Sequence, residues 1–146
     1  MSNSLFTYTT KVAVDKTVAD ISRLLAAAKA SAILSEFNDG LPVAVSFRIK
    51  TEFGLLTFRL PANPEGVYSV LQRSRAIEPR YRTREQAARV AWRILLHWLE
   101  AQLAIIQTGL VPLDQIFLPY VQDATGVTVY ERLRERRFAD YLLKDG

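Results

Sequence analysis

The longest hydrophobic stretch of the chain lies between Thr83 and Gly109, and its pattern predicts one long helix. Thr83 followed by Gln86 is a capping-box pattern, in which each side chain bonds a backbone N–H that the first helical turn leaves free. Gly109 provides the stop, because glycine adopts the left-handed conformation after a last turn at little cost. Polar side chains fall on one narrow stripe, and the remaining circumference is apolar. We therefore expect this helix to be packed on several sides.

The first sixty residues predict a sheet and one helix. Residues 5–14 alternate between apolar and polar side chains, which predicts a strand. Thr17 then caps a helix, with Asp20 three residues on as the shorter form of the capping box, and the apolar positions of this helix have helical spacing. The segments 32–37, 42–50 and 55–60 predict three strands joined by short turns, which favours an antiparallel meander. We expect a four-stranded, mainly antiparallel sheet with helices on one face and solvent on the other.

The second half of the chain is predicted to be helical. Asn63 and Pro64 begin a helix well, with asparagine as the cap and proline in the first turn. After the long central helix comes a short helical segment, and Thr128 with Glu131 then forms a third Thr-led capping box that opens a final helix to about Leu143. No repeat or long linker divides the sequence. The sequence therefore predicts a single α+β domain over residues 1–146, with one long central helix and a C-terminal helical segment.

Positive charge is concentrated just before the long helix and in its first turns. The 146 residues carry a net charge of +4, with a pI of about 9.6. Residues 73–93 hold seven arginines against Glu78 and Glu85, a local excess of five. Those arginines are Arg73, Arg75, Arg80, Arg82, Arg84, Arg89 and Arg93. Such a cluster attracts phosphate groups or acidic protein surfaces, and it is equally typical of a well-solvated helix start.

An aromatic ring among these arginines favours nucleic-acid binding. Tyr81 lies between Arg80 and Arg82 in a predicted exposed connection, and single strands bind by stacking bases on such rings while arginines contact phosphates. Tyrosines are also common as half-buried core rings. The open face of the sheet offers a second basic surface, with Lys11 among its predicted cations. The candidate nucleic-acid-binding residues are therefore Arg73, Arg75, Arg80, Tyr81, Arg82, Arg84, Arg89, Arg48, Lys50 and Arg59.

No motif in the sequence predicts an enzyme. The chain has no cysteine, which excludes a disulfide framework, a thiol nucleophile and a cysteine-ligated metal site. His97 is the only histidine, and pairing with Glu100 on one helix face explains it better than half a metal site does. No phosphate loop, dinucleotide fingerprint or nucleophile elbow is present. Converging carboxylates are the remaining route to hydrolysis, and no spacing indicates them. We expect a non-enzymatic protein without metal or cofactor.

Four stretches carry a resemblance to a known group of proteins: TTKVAVDKTVADI, FRIKTEFG with FRLPAN, RVAWRILLHWLEAQLA and DQIFLPY. Together they resemble a family of small uncharacterised proteins of bacteriophages and other bacterial mobile elements. The resemblance extends over nearly the whole chain and brings no activity or catalytic residue with it. It implies an intracellular setting among genes for DNA handling or host takeover.

Two functions are expected from these observations. The first is a nucleic-acid-binding accessory protein, for example for single-stranded DNA. The second is a protein-binding inhibitor or adaptor of a host machine, which would grip an acidic surface with the same positive patch. Self-association is left open. A cytoplasmic location is expected, because the N-terminus lacks the basic and apolar regions of a secretory signal. No membrane contact is expected, because Arg93 and Glu100 interrupt the longest apolar run.

Overall fold

A computed structural model describes residues 4–135, which form an α+β fold with a four-stranded antiparallel sheet and five α-helices, as predicted. In chain order the elements are α1 (Val14–Ala27), β1 (Ala32–Asn38), β2 (Leu41–Thr51), β3 (Gly54–Pro61), α2 (Pro64–Arg73), α3 (Arg84–Gln107), α4 (Leu113–Ile116), β4 (Val121–Gln122) and α5 (Val129–Glu135). Single 3-10 turns lie at Pro79–Tyr81 and Leu118–Tyr120. The part of the predicted final helix beyond Glu135 lies outside the described residues.

The sheet has the strand order β1-β2-β3-β4, and every neighbouring pair is antiparallel. The turn between β1 and β2 uses Asp39 and Gly40, both with positive φ, as expected for a tight hairpin turn. Phe47 of β2 lies opposite Phe58 of β3, and the two rings stack with centroids 5.1 Å apart. The predicted three-strand meander is therefore confirmed, with Phe47 and Phe58 on the helix-covered face.

The predicted strand over residues 5–14 is wrong. Residues 5–10 form successive turns. The backbone N–H of Tyr8 donates to the carbonyl oxygen of Leu5 and that of Thr10 to Thr7, each with 3.1 Å between nitrogen and oxygen. The fourth strand is instead β4, which pairs with β3 from the other end of the chain. The reason lies in tertiary contacts: the carbonyl groups of Tyr8 and Thr10 accept hydrogen bonds from the side chain of Gln86. Those acceptors are then unavailable for a strand ladder.

The helix α1 begins earlier than the sequence predicts. Its N-cap is Ala13, so Thr17 lies one turn inside the helix and is fully buried. Ile21 and Leu25 follow on the same buried face and pack against the sheet and α3. Apolar spacing located this helix correctly, whereas the threonine that looks like a cap is a core residue.

The central helix α3 is unbroken over its 24 residues, as predicted. The Thr83 Oγ1 accepts a hydrogen bond from the backbone N–H of Gln86 at 3.1 Å, which confirms half of the capping box. One cluster of buried residues lies between α3, α1 and the sheet, and a second lies between α3 and α2. Trp92 is fully buried in the first cluster. Within residues 4–135, no helix is both long and apolar enough to cross a membrane.

Candidate nucleic-acid interface

The connection between α2 and α3 is held on the protein by Arg82. Its Nε donates a hydrogen bond to the carbonyl oxygen of Ile77 at 2.9 Å, and its Nη2 donates to that of Ser74 at 3.0 Å. Ile77 is itself buried in the cluster between α2 and α3. Most of the connection is exposed, as predicted, but Ile77 anchors it in the core. Arg82 has a structural role, because its donors satisfy carbonyl groups at the end of α2 and in the following turn.

Two more of the candidate arginines make ion pairs with the protein's own carboxylates. Arg84 Nη1 lies 2.6 Å from Glu65 Oε1, and its guanidinium lies 4.3 Å from the centre of the Tyr68 ring. The hydrogen bond that Arg84 donates to the Glu65 carboxylate raises the pKa of Arg84. Arg80 pairs with the neighbouring carboxylate Glu78 at 2.9 Å. Both pairs are exposed, so they are weak and a phosphate group can compete for either arginine.

Arg73 and Arg75 are the least constrained members of the cluster. Both are exposed, and neither makes an ion pair or side-chain hydrogen bond with any residue from 4 to 135. The seven arginines of 73–93 therefore do not form one free patch. Arg82 stabilises the connection, and Arg80 and Arg84 are paired at its surface. Arg73 and Arg75 point their charge into solvent.

A shallow cleft of about 330 Å³ lies where the N-terminal turns meet the start of α3. Its lining residues are Thr9, Thr10, Lys11, Arg80, Tyr81, Gln86 and Arg89. No carboxylate belongs to that lining. Lys11, predicted on the open face of the sheet, lies here instead. Three cations, hydroxyl groups and one aromatic ring thus surround a single concave surface.

Gln86 organises this cleft. Its Nε2 donates to the carbonyl oxygens of Tyr8 at 2.7 Å and Thr10 at 2.9 Å, and its Oε1 accepts a hydrogen bond from Arg89 Nε at 2.9 Å. Only 4% of Gln86 is exposed. Its side chain therefore does not reach back to the Thr83 N–H, as a complete capping box requires. It fixes both the chain leading to Lys11 and the direction of the Arg89 guanidinium.

Tyr81 combines a structural contact with a partly open ring. Its ring meets Tyr8 edge-on at 5.5 Å, and the Arg80 guanidinium lies 4.8 Å from its centre. The side chain is half-buried and packs against the cluster between α2 and α3. Tyr81 is thus a partly buried ring, as the alternative interpretation expected, and it also lines the cationic cleft.

A second group of cations lies further along α3, where α1 packs beside it. Asp20 of α1 accepts a hydrogen bond from Lys16 at 2.7 Å, contacts Arg23, and lies 3.7 Å from Arg93 of α3. The hydrogen bond from Lys16, followed by that from Arg23, lowers the pKa of Asp20. One carboxylate shared among three cations leaves a local excess of positive charge. Lys16 and Arg23 were not among the predicted site residues, because only helix packing brings them to Arg93.

On the open face of the sheet, Arg59 is not a free cation. Its Nη2 lies 2.8 Å from Glu36 Oε2, so the ion pair joins β3 to β1 across the intervening strand. The small residues Ala44 and Ser46 of β2 lie beneath this crossing and are buried, although they belong to the face opposite α1 and α3. Arg59 therefore covers the centre of the sheet.

Arg48 and Lys50 remain as exposed cations on the open face. Neither makes an ion pair or side-chain hydrogen bond within the described part of the chain. Leu34 and Leu55 of the neighbouring strands are exposed there as well. This surface is mixed rather than uniformly basic. The sheet separates it from the cleft, since α3 packs on the opposite face.

His97 is engaged as the sequence predicts. Its Nδ1 lies 3.1 Å from Glu100 Oε1, and the Phe6 ring meets the imidazole edge-on at 5.4 Å. Across residues 4–135, no group of three or more His, Cys, Asp and Glu side chains is arranged to hold a metal ion.

Comparisons of the chain with protein-family models, with curated proteins and with solved structures find no match. The resemblance to phage and mobile-element proteins therefore stays a prediction. Any assignment of function rests on the geometry of the surfaces described above.

Proposed function

We propose that this protein is a non-enzymatic nucleic-acid-binding accessory protein, in the setting of a phage or mobile element, whose preferred ligand is a single strand. The observation that supports this proposal is the cleft with Lys11, Arg80, Arg89 and Tyr81 on its wall. Three cations around one concave surface attract phosphate oxygens, and an adjoining aromatic ring offers a face to a base.

The ligand would follow α3 beyond the cleft. Arg89 and Arg93 are one turn apart, a rise of about 6 Å along the helix. Arg93 lies beside the group of Lys16 and Arg23 described above. The cations of the cleft and of the α1–α3 contact therefore succeed one another along one side of the molecule. Arg73 and Arg75 contribute attraction at longer range, which ionic strength screens.

An electrophoretic shift assay with labelled single-stranded DNA, double-stranded DNA and RNA tests this proposal. Binding should weaken steeply between about 50 and about 200 mM salt, because bound cations release counterions from the nucleic acid. The double variant Lys11→Ala/Arg89→Ala should weaken binding by about tenfold or more. The double variant Arg48→Ala/Lys50→Ala is the matched control, since it removes the same charge from the opposite side of the sheet.

Equal losses of binding affinity in the two double variants would show non-specific charge attraction and would contradict binding through the cleft. Absence of any shift at micromolar protein would defeat nucleic-acid binding altogether. Circular dichroism must show that both variants remain folded, since Arg89 also bonds Gln86.

The second candidate is an inhibitor or adaptor that binds a host protein. The observation in its favour is the open sheet face, where exposed Leu34 and Leu55 lie near Arg48 and Lys50. Apolar groups rimmed by cations suit an acidic protein surface. Capture from host lysate with and without nuclease separates the two functions. Partners lost with nuclease favour the first proposal, whereas partners retained with nuclease and lost in Arg48→Ala/Lys50→Ala favour the second.

A further inference from the structure

The two edges of the sheet are finished in different ways. At one edge, the strand β4 has only two residues. Its residue Gln122 also pairs, on the side away from β3, with Thr128 in a single antiparallel bridge. At the other edge, β1 has seven residues, each exposed or half-buried. Apart from its ladder with β2, β1 makes no backbone hydrogen bond to residues 4–135. Among residues 4–135, β4 thus covers part of one edge, whereas β1 at the other edge has backbone groups without a ladder partner.

The composition of β1 does not protect this edge. Natural edge strands are usually blunted by lysine, proline, short length or a bulge. The sequence of β1 is AILSEFN, without lysine, arginine or proline, and its one irregularity lies between Glu36 and Phe37 near its end. Leu34 and Phe37 are each 63% exposed. Within residues 4–135, this edge is a row of N–H and C=O groups without ladder partners beside exposed apolar side chains, which is the kind of surface to which another strand adds.

We propose that the strand that pairs with β1 is β1 of a second copy, in an antiparallel dimer that joins the two sheets across a two-fold axis. An antiparallel pair of identical strands satisfies two-fold symmetry directly, because each strand offers its partner the same edge. The charge of the edge fits this choice. Glu36 is the only charged residue of β1 and is already neutralised by Arg59 of its own chain.

The neutral edge also argues against a charged peptide as the occupant. Arg48 and Lys50 lie on β2, one strand inward, so an acidic peptide on the edge would gain no direct ion pair from β1. A second copy meets no uncompensated like charge along β1, and its own β1 places further apolar side chains beside the exposed Leu34 and Phe37. This inference does not depend on nucleic-acid binding, since the cleft lies on the other side of the sheet.

Sedimentation equilibrium from micromolar to hundreds of micromolar protein tests the dimer. The native chain should be dimeric at the upper end, and Leu34→Lys/Phe37→Lys should raise the dissociation constant by about tenfold or more by placing repelling charges on the edge. Leu110→Lys/Leu118→Lys is the matched control, because both leucines are exposed and lie away from β1. A native chain that stays monomeric throughout overturns the proposal. So does a control that dissociates as readily as the edge variant.

The absence of cysteine permits a second, independent measurement. The single variants Leu34→Cys, Ser35→Cys and Phe37→Cys are oxidised separately, with Leu110→Cys as the control. At least one of the three should form a disulfide-linked dimer faster than the control, because paired edges bring equivalent residues near the two-fold axis together. If none does so while circular dichroism shows folded protein, the dimer does not form through β1.

Discussion

The indole Nε1 of Trp92 donates a hydrogen bond to the carbonyl oxygen of Pro42, with 3.0 Å between the two atoms. Trp92 is fully buried, and Pro42 is buried at the start of β2. The bond joins the middle of α3 to the sheet. The proline at this position accepts through its carbonyl oxygen, although it has no N–H to donate. This hydrogen bond fixes the position of α3 along the strand direction. Apolar packing is less directional and fixes that position less strictly.

Replacing Trp92 by phenylalanine should lower the free energy of unfolding by about 2–4 kcal/mol. The variant leaves the Pro42 carbonyl without its buried donor and removes part of a buried ring. Urea denaturation followed by circular dichroism measures the change. Trp98→Phe is the matched control, because Trp98 is half-buried and its indole N–H makes no hydrogen bond within residues 4–135. A control as destabilised as Trp92→Phe would contradict the importance of the bond.

Gln86→Ala should affect both folding and the proposed binding. It removes the donor to Tyr8 and Thr10, so two partly buried acceptors lose a partner at a cost of about 1–3 kcal/mol. It also frees Arg89, which should weaken nucleic-acid binding under conditions where the variant is still folded. Gln107→Ala, at the exposed end of the same helix, is the control for helix propensity. Unfolding titrations and shift assays on both variants provide the comparison.

Arg82 and Arg73 should respond differently to the same substitution. Arg82→Ala should lower the free energy of unfolding by about 1–3 kcal/mol, because the carbonyl groups of Ser74 and Ile77 lose their donors. Arg73→Ala removes an exposed side chain and should change stability by less than about 0.5 kcal/mol. Thermal and urea unfolding measure both. Equal stability of the two variants would show that Arg82 does not hold the connection.

Asp123 should contribute to the acid sensitivity of the fold. Hydrogen bonds from the Thr125 hydroxyl and then from Arg132 hold the pKa of Asp123 well below its ordinary value. Its folded pKa is depressed, so its stabilising contribution is complete above the unfolded pKa of about 4 and declines as the pH falls below it. Asp123→Asn should therefore lower the melting temperature at pH 7 more than at strongly acidic pH.

Melting curves of the native chain and Asp123→Asn between about pH 7 and about pH 2 measure this difference. Asp114→Asn serves as the control, since Asp114 makes no side-chain hydrogen bond or ion pair among the residues described. A melting-temperature difference for Asp123→Asn that stays constant over the whole range would rule out the linkage.

Local sequence signals were sufficient for most of the fold. The N-cap of α2 is Asn63, whose side chain accepts from the Gly66 N–H at 3.0 Å. The capping box of α5 is complete, because Thr128 and Glu131 each bond the backbone N–H of the other. These features depend on residues three positions apart in the sequence. Strand alternation and turn chemistry act over similarly short distances, which is why the meander could be predicted.

The errors in the predicted fold arise where distant residues decide the structure. Residues 5–14 alternate as a strand does, yet the group that holds them is Gln86, separated from Tyr8 by 78 positions. Thr17 has the sequence context of a cap, and its burial under α3 and the sheet depends on packing. Neither partner is visible from the segment itself, so alternation and capping preference predict a structure that tertiary contacts override.

The candidate site was predictable in composition but not in arrangement. The sequence locates the arginines of 73–93, whereas the folded chain decides that Arg82 bonds carbonyl groups and that Arg84 pairs with Glu65. Lys11 enters the cleft because residues 5–10 turn over the start of α3 instead of joining the sheet. The sequence shows how many arginines lie in this segment, whereas only the fold shows which groups each arginine contacts.

Both clusters of buried residues draw on α3: Ala87, Val90 and Ala91 serve the one with α2, and Trp92, Leu95 and Leu99 serve the one with the sheet. Because α3 contributes buried residues to both clusters, we expect the α2 region and the sheet to unfold together. Calorimetry should accordingly record a single heat-absorption peak. Cleavage of the chain within α3 should unfold the α2 region and the sheet together.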